Sequence, residues 1–247
     1  MLRNVADPEL LDRIRQKIDE LFAKYADVTA ERIEQYLASD DPSERDFWLT
    51  FRIGQVYERT FREFAGVSFF EIIRNNGLYD LAARAFPESQ IEESQICNCR
   101  RMTAEETAKL FDRPLGFHVD AQYHFVDRLS INFWTPLMAC GKTAPGIKVV
   151  LLGARDTRDY LEFSLAGYEK KPTDIAHEHH FRTEKEQLES LRKHNLIECI
   201  WTPEFNKGDI LVFSSLTMHA THCANGMTEP RTSVEVRLNM PSIPLTF

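Results

Sequence analysis

The sequence predicts a jelly roll or β-sandwich with a layer of helices packed outside it. Two patterns carry that reading. Apolar residues recur at helical spacing through the first third of the chain, and short period-two runs separated by turn signals follow Pro87. Short strands after a helical start belong to a two-layer β architecture. A length of 247 residues suits one large domain. We read 1–247 as a single domain, with a helical layer over 1–88, a β core over 94–153 and 205–240, and an insertion over 154–204.

Asp7 can cap a helix whose first residue is Pro8, and Leu10, Leu11, Ile14, Ile18, Leu21, Phe22 and Tyr25 then mark its apolar stripe. Thr29 can cap a second helix through Leu37. Pro42 opens a longer one containing Trp48, Phe51, Ile53, Val56, Tyr57, Phe61 and Phe64. Ser68 with Glu71 forms a capping box for another, which Asn75-Asn76-Gly77 ends. The aromatics here read as packing.

Ser94–Arg101 alternates with period two and reads as a strand. Thr103 and Glu106 form a second capping box, for a short helix ending near Phe111. Leu129–Leu137, Ile147–Leu152, Ile210–Phe213 and Thr232–Met240 are the remaining strands. Ala144-Pro145-Gly146 and Asn206-Lys207-Gly208-Asp209 mark turns. A helix is expected over Glu184–His194, inside the charged insertion.

Composition narrows the function classes. Hydrophobic content of 43% and charged content of 28% are those of a soluble globular protein. A net charge of -8 argues against a nucleic-acid surface, which would show a basic stripe. No apolar run reaches the roughly 20 residues of a membrane span. Residues Met1–Asp7 lack a signal peptide's apolar core. The five cysteines (Cys97, Cys99, Cys140, Cys199 and Cys223) form no Cys-x-x-Cys pair, which argues against a zinc knuckle or redox dithiol. Reduced thiols place the protein in the cytoplasm. The expected partner is a small molecule, neither nucleic acid nor membrane, and a homo-oligomer is compatible with the sequence.

The chemistry centres on Gly116-Phe117-His118-Val119-Asp120. On an extended strand, His118 and Asp120 share a face. One further imidazole would complete a facial site with open positions, a set that suits non-haem Fe(II). His219 and His222, about a hundred residues on, are the candidates for it. Arg231 follows about a dozen residues after His219.

With these pieces in place, the chain resembles the phytanoyl-CoA dioxygenase family of Fe(II)/2-oxoglutarate oxygenases. The matching residues are His118-Val119-Asp120 with Tyr123 beyond, Asn132-Phe133-Trp134-Thr135-Pro136-Leu137, Ala144-Pro145-Gly146, Gly208-Asp209-Ile210-Leu211-Val212-Phe213, and His219 followed by Asn225 and Arg231. The resemblance spans roughly 94–240. Two departures stand out: Ala144-Pro145-Gly146 replaces an Asn-Gly turn, and Leu152-Gly153-Ala154-Arg155 replaces a Pro-Gly-Ser-His stretch.

The resemblance implies a double-stranded β-helix, Fe(II) as cofactor, 2-oxoglutarate as co-substrate, and O₂. It selects His219 over His222 as the distal ligand, from the spacing to Arg231. It also implies that Arg231 and Ser233 grip the far carboxylate of 2-oxoglutarate, a task suited to a planar, always-charged fork. Arg237 is the fallback for that grip. Asn132 and Trp134 would border the co-substrate, and Tyr123, Glu235 and Arg237 become candidate substrate contacts. The implied reaction is hydroxylation, or a related oxidation, of a C–H bond, with succinate and CO₂ formed from 2-oxoglutarate, and the mixed charge of the 154–204 insertion points to a small polar metabolite as substrate. The 154–204 insertion is expected to form a lid. Its His177-Glu178-His179-His180 cluster reads as a solvated loop, and Arg100 and Arg101 read by default as surface ion-pair partners, with one of them reaching the pocket as the alternative. Two rivals remain: a non-catalytic binding protein on the same fold, and a cupin-type metal enzyme that does not use 2-oxoglutarate. The intact triad with Arg231 speaks against the first. The lack of further histidines in the first motif speaks against the second.

Overall fold

A computed structural model of the chain describes residues 1–26, 28, 30–38, 41, 44, 47, 48, 51, 54–102, 117, 118, 120, 128–151, 184–193 and 195–244. Helix α1 (Pro8–Lys24) begins as its sequence dictates, with Asp7 Oδ1 accepting from the Glu9 N–H at 2.9 Å. Such a cap contributes about 1 kcal/mol. Leu10, Leu11, Ile14, Ile18 and Leu21 form one buried stripe along it. Helix α2 (Ala30–Leu37) follows, and its expected cap, Thr29, lies outside the described residues.

The long helix expected from Pro42 to Phe64 is interrupted. Gly54 has φ +70°, and a Cβ there would stand 2.1 Å from the Arg101 carbonyl oxygen. The Gly54 carbonyl accepts from the Arg101 N–H at 2.7 Å. The chain therefore turns at Gly54 into strand β1 (Gln55–Tyr57), and helix α3 (Glu58–Ala65) starts afresh. Aromatics at helical spacing on both sides of Gly54 obscured the break. Helix α4 (Glu71–Arg74) ends at Asn75, and helix α5 (Leu78–Ala85) starts from Gly77, whose φ of 75° is one glycine adopts without strain.

The strands are β2 (Glu92–Glu93), β3 (Asn98–Met102), β4 (Arg128–Pro136), β5 (Gly146–Val150), β6 (Ile200–Trp201), β7 (Leu211–Ser214), β8 (His219–His222) and β9 (Arg231–Pro244). β3 starts later than the strand expected over Ser94–Arg101. The helix expected over Thr103–Phe111 lies outside the described residues.

The larger sheet runs β1-β3-β9-β4-β7, with β2 also on β9, and the smaller runs β6-β5-β8. Every pairing is antiparallel. Register fixes which side chains share a face. Val234, Val236 and Leu238 of β9 stand opposite Thr135, Phe133 and Ile131 of β4. That face packs on the helices, where Val234, Val236, Leu238, Phe133, Cys99 and Val56 join Leu10, Ile14, Phe61 and Phe69 in one core. Glu235 and Arg237 stand opposite Trp134 and Asn132, which in turn face Leu211 and Phe213 of β7. This is the inner face, turned to the smaller sheet, and Trp134, Leu211 and Phe213 pack there with Ile147 and Val149 of β5.

Helix α6 (Glu184–Lys193) coincides with the helix expected in the insertion. It is anchored by Leu191, which is buried with Val150, Leu196 and Met218. No described helix is long and apolar enough to cross a membrane.

Candidate metal centre

His118 and His219 are far apart in the chain and are joined by backbone. The His118 N–H donates to the His219 carbonyl at 2.9 Å, and the His219 N–H returns the bond to the His118 carbonyl at 2.9 Å. Their rings lie 4.2 Å apart, centroid to centroid. The strand expected through both His118 and Asp120 is not what aligns them. His118 makes a single bridge to the edge of β8, and Asp120 lies in a 3-10 turn. The turn returns the carboxylate to the imidazoles, as strand alternation would also have done.

Asp120 Oδ1 faces both rings, 3.8 Å from His118 Nε2 and 3.7 Å from His219 Nε2. Twice a first-row metal–ligand bond of roughly 2.0–2.2 Å spans both separations. All three residues are buried, and their ligand atoms lie within 4.8 Å of one another. His219 Nδ1 is 2.9 Å from the Thr217 carbonyl. A carbonyl can only accept, so that nitrogen carries the proton and Nε2 keeps its lone pair for an ion. The Phe213 ring, 4.9 Å from that of His219, supports the same orientation. Sequence reasoning offered no reason to name Thr217 or Phe213.

His222 is excluded from this cluster by strand geometry. Three residues from His219 on β8, it stands on the opposite face. Among the described residues, only His118, Asp120 and His219 gather in this way. Tyr123 and the His177–His180 cluster lie outside the described residues.

The other oxygen of Asp120 is held by protein. The Asn132 Nδ2–H donates to Asp120 Oδ2, and Arg237 Nη2 is 3.3 Å from the same atom. Arg237 is also ion-paired with Glu235, its neighbour on the inner face of β9. Burial alone would lower the Arg237 pKa, but Glu235 and Asp120 outweigh it and hold the guanidinium charged. Burial likewise pushes the Glu235 carboxyl up, against the pull of Arg237.

Arg231 differs from Arg237. It is 3% exposed, and its Nη1–H donates to the Gly146 carbonyl at 2.7 Å. Its guanidinium lies 5.4 Å from the Trp134 ring centroid. No described carboxylate forms an ion pair with it, and its Nε–H has no hydrogen-bond partner among the described residues. Burial pulls its pKa down to about 10. Ser233, two residues on, is buried on the same face. Arg101 points away from the site and is 3.9 Å from Asp19 on α1, whereas Arg100, 3.5 Å from Gln55, stands opposite Ser233 on the inner face, where its charge also acts on Arg231.

With this geometry in hand, comparison with known proteins is informative. No protein-family model matches the chain, and no curated protein matches it. Solved structures do. The crystal structure of EctD from S. alaskensis with bound Fe aligns at a TM-score of 0.56 and 13% identity, over 97% of this chain and 71% of that one. The chain shares its fold with EctD. EctD has also been solved with 2-oxoglutarate and 5-hydroxyectoine, and that structure aligns at a TM-score of 0.55, 13% identity and the same coverage. AviO1 from Streptomyces viridochromogenes Tue57 aligns at 0.53 and 15% identity, over 99% of this chain and 90% of its own. The double-stranded β-helix expected from the sequence is thus the architecture observed, with the triad His118, Asp120 and His219 inside it.

Proposed function

We propose that this chain is an Fe(II)/2-oxoglutarate-dependent oxygenase that oxidises a C–H bond of a small polar molecule. The observation that carries the reading is the pairing of a buried His₂Asp cluster with a buried arginine, Arg231, that has no carboxylate partner among the described residues. Two imidazoles and one carboxylate leave adjacent positions open and suit non-haem Fe(II). His118, Asp120 and His219 would hold the ion, with the His219 tautomer set by Thr217.

Arg231 accounts for the co-substrate. A buried cation without a counter-ion is costly unless a ligand supplies one. A carboxylate is the natural complement of its planar fork. Ser233 adds a hydroxyl beside it, and Trp134 and the Gly146 carbonyl hold the guanidinium in place. The likeness to EctD supports the choice of 2-oxoglutarate, since EctD is solved with that compound. Iron loaded with 2-oxoglutarate and O₂ supplies the oxidising power for C–H cleavage, and succinate and CO₂ are the co-products. The protein supplies orientation and a water-poor interior. A polar substrate fits the inner face, where Glu235, Arg237 and Asn132 are buried or nearly so around Asp120.

Anaerobic titration tests this reading. The purified chain should bind about one Fe(II), and 2-oxoglutarate should then add the weak visible charge-transfer band of a chelated ferrous centre. Succinate release across a panel of small polar compounds identifies the substrate. His219→Ala should abolish the band, and His222→Ala should leave it. Loss of the band in His222→Ala alone would overturn the ligand assignment. Failure of the native chain to bind Fe(II) and 2-oxoglutarate would overturn the function.

A further inference from the structure

Asp120 is a split carboxylate. Oδ1 faces the two imidazoles, while Oδ2 is engaged by Asn132 Nδ2 and approached by Arg237 Nη2 at 3.3 Å. The geometry points to a positioning role for Arg237. We infer that, with Asn132, it confines Asp120 to one-oxygen ligation, so that the centre keeps enough open positions for a chelating co-substrate and O₂.

Coordination number limits what the centre can bind. A free carboxylate can bind a metal through one oxygen or two. A six-position site with two imidazoles and one carboxylate oxygen has three places left. Two are needed for a chelating 2-oxo acid and one for O₂, so a second Asp120 oxygen on the ion would displace one of them. The Asn132 hydrogen bond and the Arg237 ion pair both fall on Oδ2 and oppose that rotation.

The register explains why Arg237 can do this. Arg237 lies opposite Asn132 across the β4–β9 pair, so the two side chains stand side by side on the inner face. Glu235, on the same face, ion-pairs with Arg237. The Arg237 backbone is fixed as well, its N–H donating to Cys97 Sγ at 3.0 Å. Arg231 is held elsewhere on the same face, by the Gly146 carbonyl and beside the Trp134 ring. The two arginines of β9 therefore divide the work: Arg231 serves the co-substrate and Arg237 serves the metal ligand.

This inference rests on the proposed Fe(II)/2-oxoglutarate function, and its test separates the two. Fe(II) and 2-oxoglutarate affinities are measured anaerobically on the native chain, on Arg237→Gln, on Arg237→Lys and on the double variant Glu235→Gln/Arg237→Gln. The double variant removes both charges together, so that neither is left buried alone. Thermal unfolding confirms that each variant folds. The expected result is Fe(II) affinity within a few-fold of native in every variant. 2-Oxoglutarate binding should weaken at least about 10-fold in Arg237→Gln and in the double variant, with a shifted or lost charge-transfer band, and Arg237→Lys should recover part of both. If native protein binds both ligands and the folded variants keep native 2-oxoglutarate affinity and band, the inference is wrong while the function stands. If native protein binds neither, the function itself fails. If Fe(II) binding collapses in the folded double variant, Arg237 sustains the metal site as a whole and the one-oxygen argument is overturned.

Discussion

The two faces of strand β9 make the most instructive comparison in the molecule. Thr232, Val234, Val236 and Leu238 alternate with Arg231, Ser233, Glu235 and Arg237. Burial barely distinguishes them: Val236 is 0% exposed and Arg237 is 5% exposed. The outer set packs on α1 and α3 through Leu10, Ile14 and Phe61. The inner set surrounds Asp120 and the space between the sheets. One face therefore gains from leaving water, and the other bears a desolvation cost at Arg231, Glu235 and Arg237. A fold tolerates that cost where function requires it. A buried strand with one apolar and one charged face is thus a marker of a site even before any ligand is considered.

The comparison predicts that damage to the two faces separates cleanly. The largest effect belongs to the outer face. Phe61 is 0% exposed and stacks on Phe69 at 4.3 Å between ring centroids. Phe61→Ala should cost about 3–5 kcal/mol of stability. Chemical denaturation would show a lowered midpoint, while the protein that remains folded should bind Fe(II) as the native chain does. Loss of metal affinity in the folded fraction would mean that the helical layer is coupled to the site and that the two faces are not independent.

A smaller effect is expected on the inner face. Arg231→Lys keeps a charge but loses the planar fork. Loss of one charge-assisted hydrogen bond corresponds to about 1.5–3 kcal/mol, or roughly 10- to 100-fold in 2-oxoglutarate affinity. Iron affinity and the unfolding midpoint should change little. Calorimetric titration with 2-oxoglutarate under anaerobic conditions measures this directly. An unchanged affinity would remove Arg231 from the co-substrate site.

Much of this division could be read in the sequence, for reasons that differ from residue to residue. Period-two alternation over Thr232–Met240 showed two unlike faces without saying which was buried. His118, Asp120 and His219 were recognisable because metal chemistry restricts residue types more tightly than packing does. Their local geometry was less legible. His118 is aligned by one backbone bridge to His219, and Asp120 by a turn. Either arrangement satisfies the same His-x-Asp spacing. The contact of Arg237 with Asp120 was invisible, because it depends on the register of β9 against β4. Sequence spacing carries no information about that register. The break at Gly54 was visible in principle. It was missed because the glycine matters through its close approach to Arg101, a contact remote in the chain.

The smallest effect concerns Glu58, the outer-layer counterpart of Glu235. Both carboxylates are pushed up by burial. Arg237 pulls against that shift at Glu235, and at Glu58 the Ser68 hydroxyl at 2.7 Å and the Phe69 N–H at 2.9 Å donate to the carboxylate. These bonds favour its charged form but do not cancel the cost of burial. A carboxyl whose folded pKa lies above its unfolded value binds more protons in the native state. Its contribution is therefore fullest below the unfolded pKa, near 4.5, and declines as pH rises through the folded value. A tenfold change in its ionisation constant on folding corresponds to about 1.4 kcal/mol. Glu58→Gln keeps the shape, keeps an acceptor and removes the titration. The stability difference, variant minus native, should therefore grow as pH rises above 4.5 and level off once the native carboxyl is fully ionised. Urea denaturation of both proteins at matched pH values measures that difference. A flat difference across the range would show that the hydrogen bonds from Ser68 and Phe69 fully offset burial. The outer layer would then hold its buried carboxylate at less cost than the inner face holds Glu235, whose carboxyl burial pushes up even beside Arg237, and the contrast between the two faces would widen.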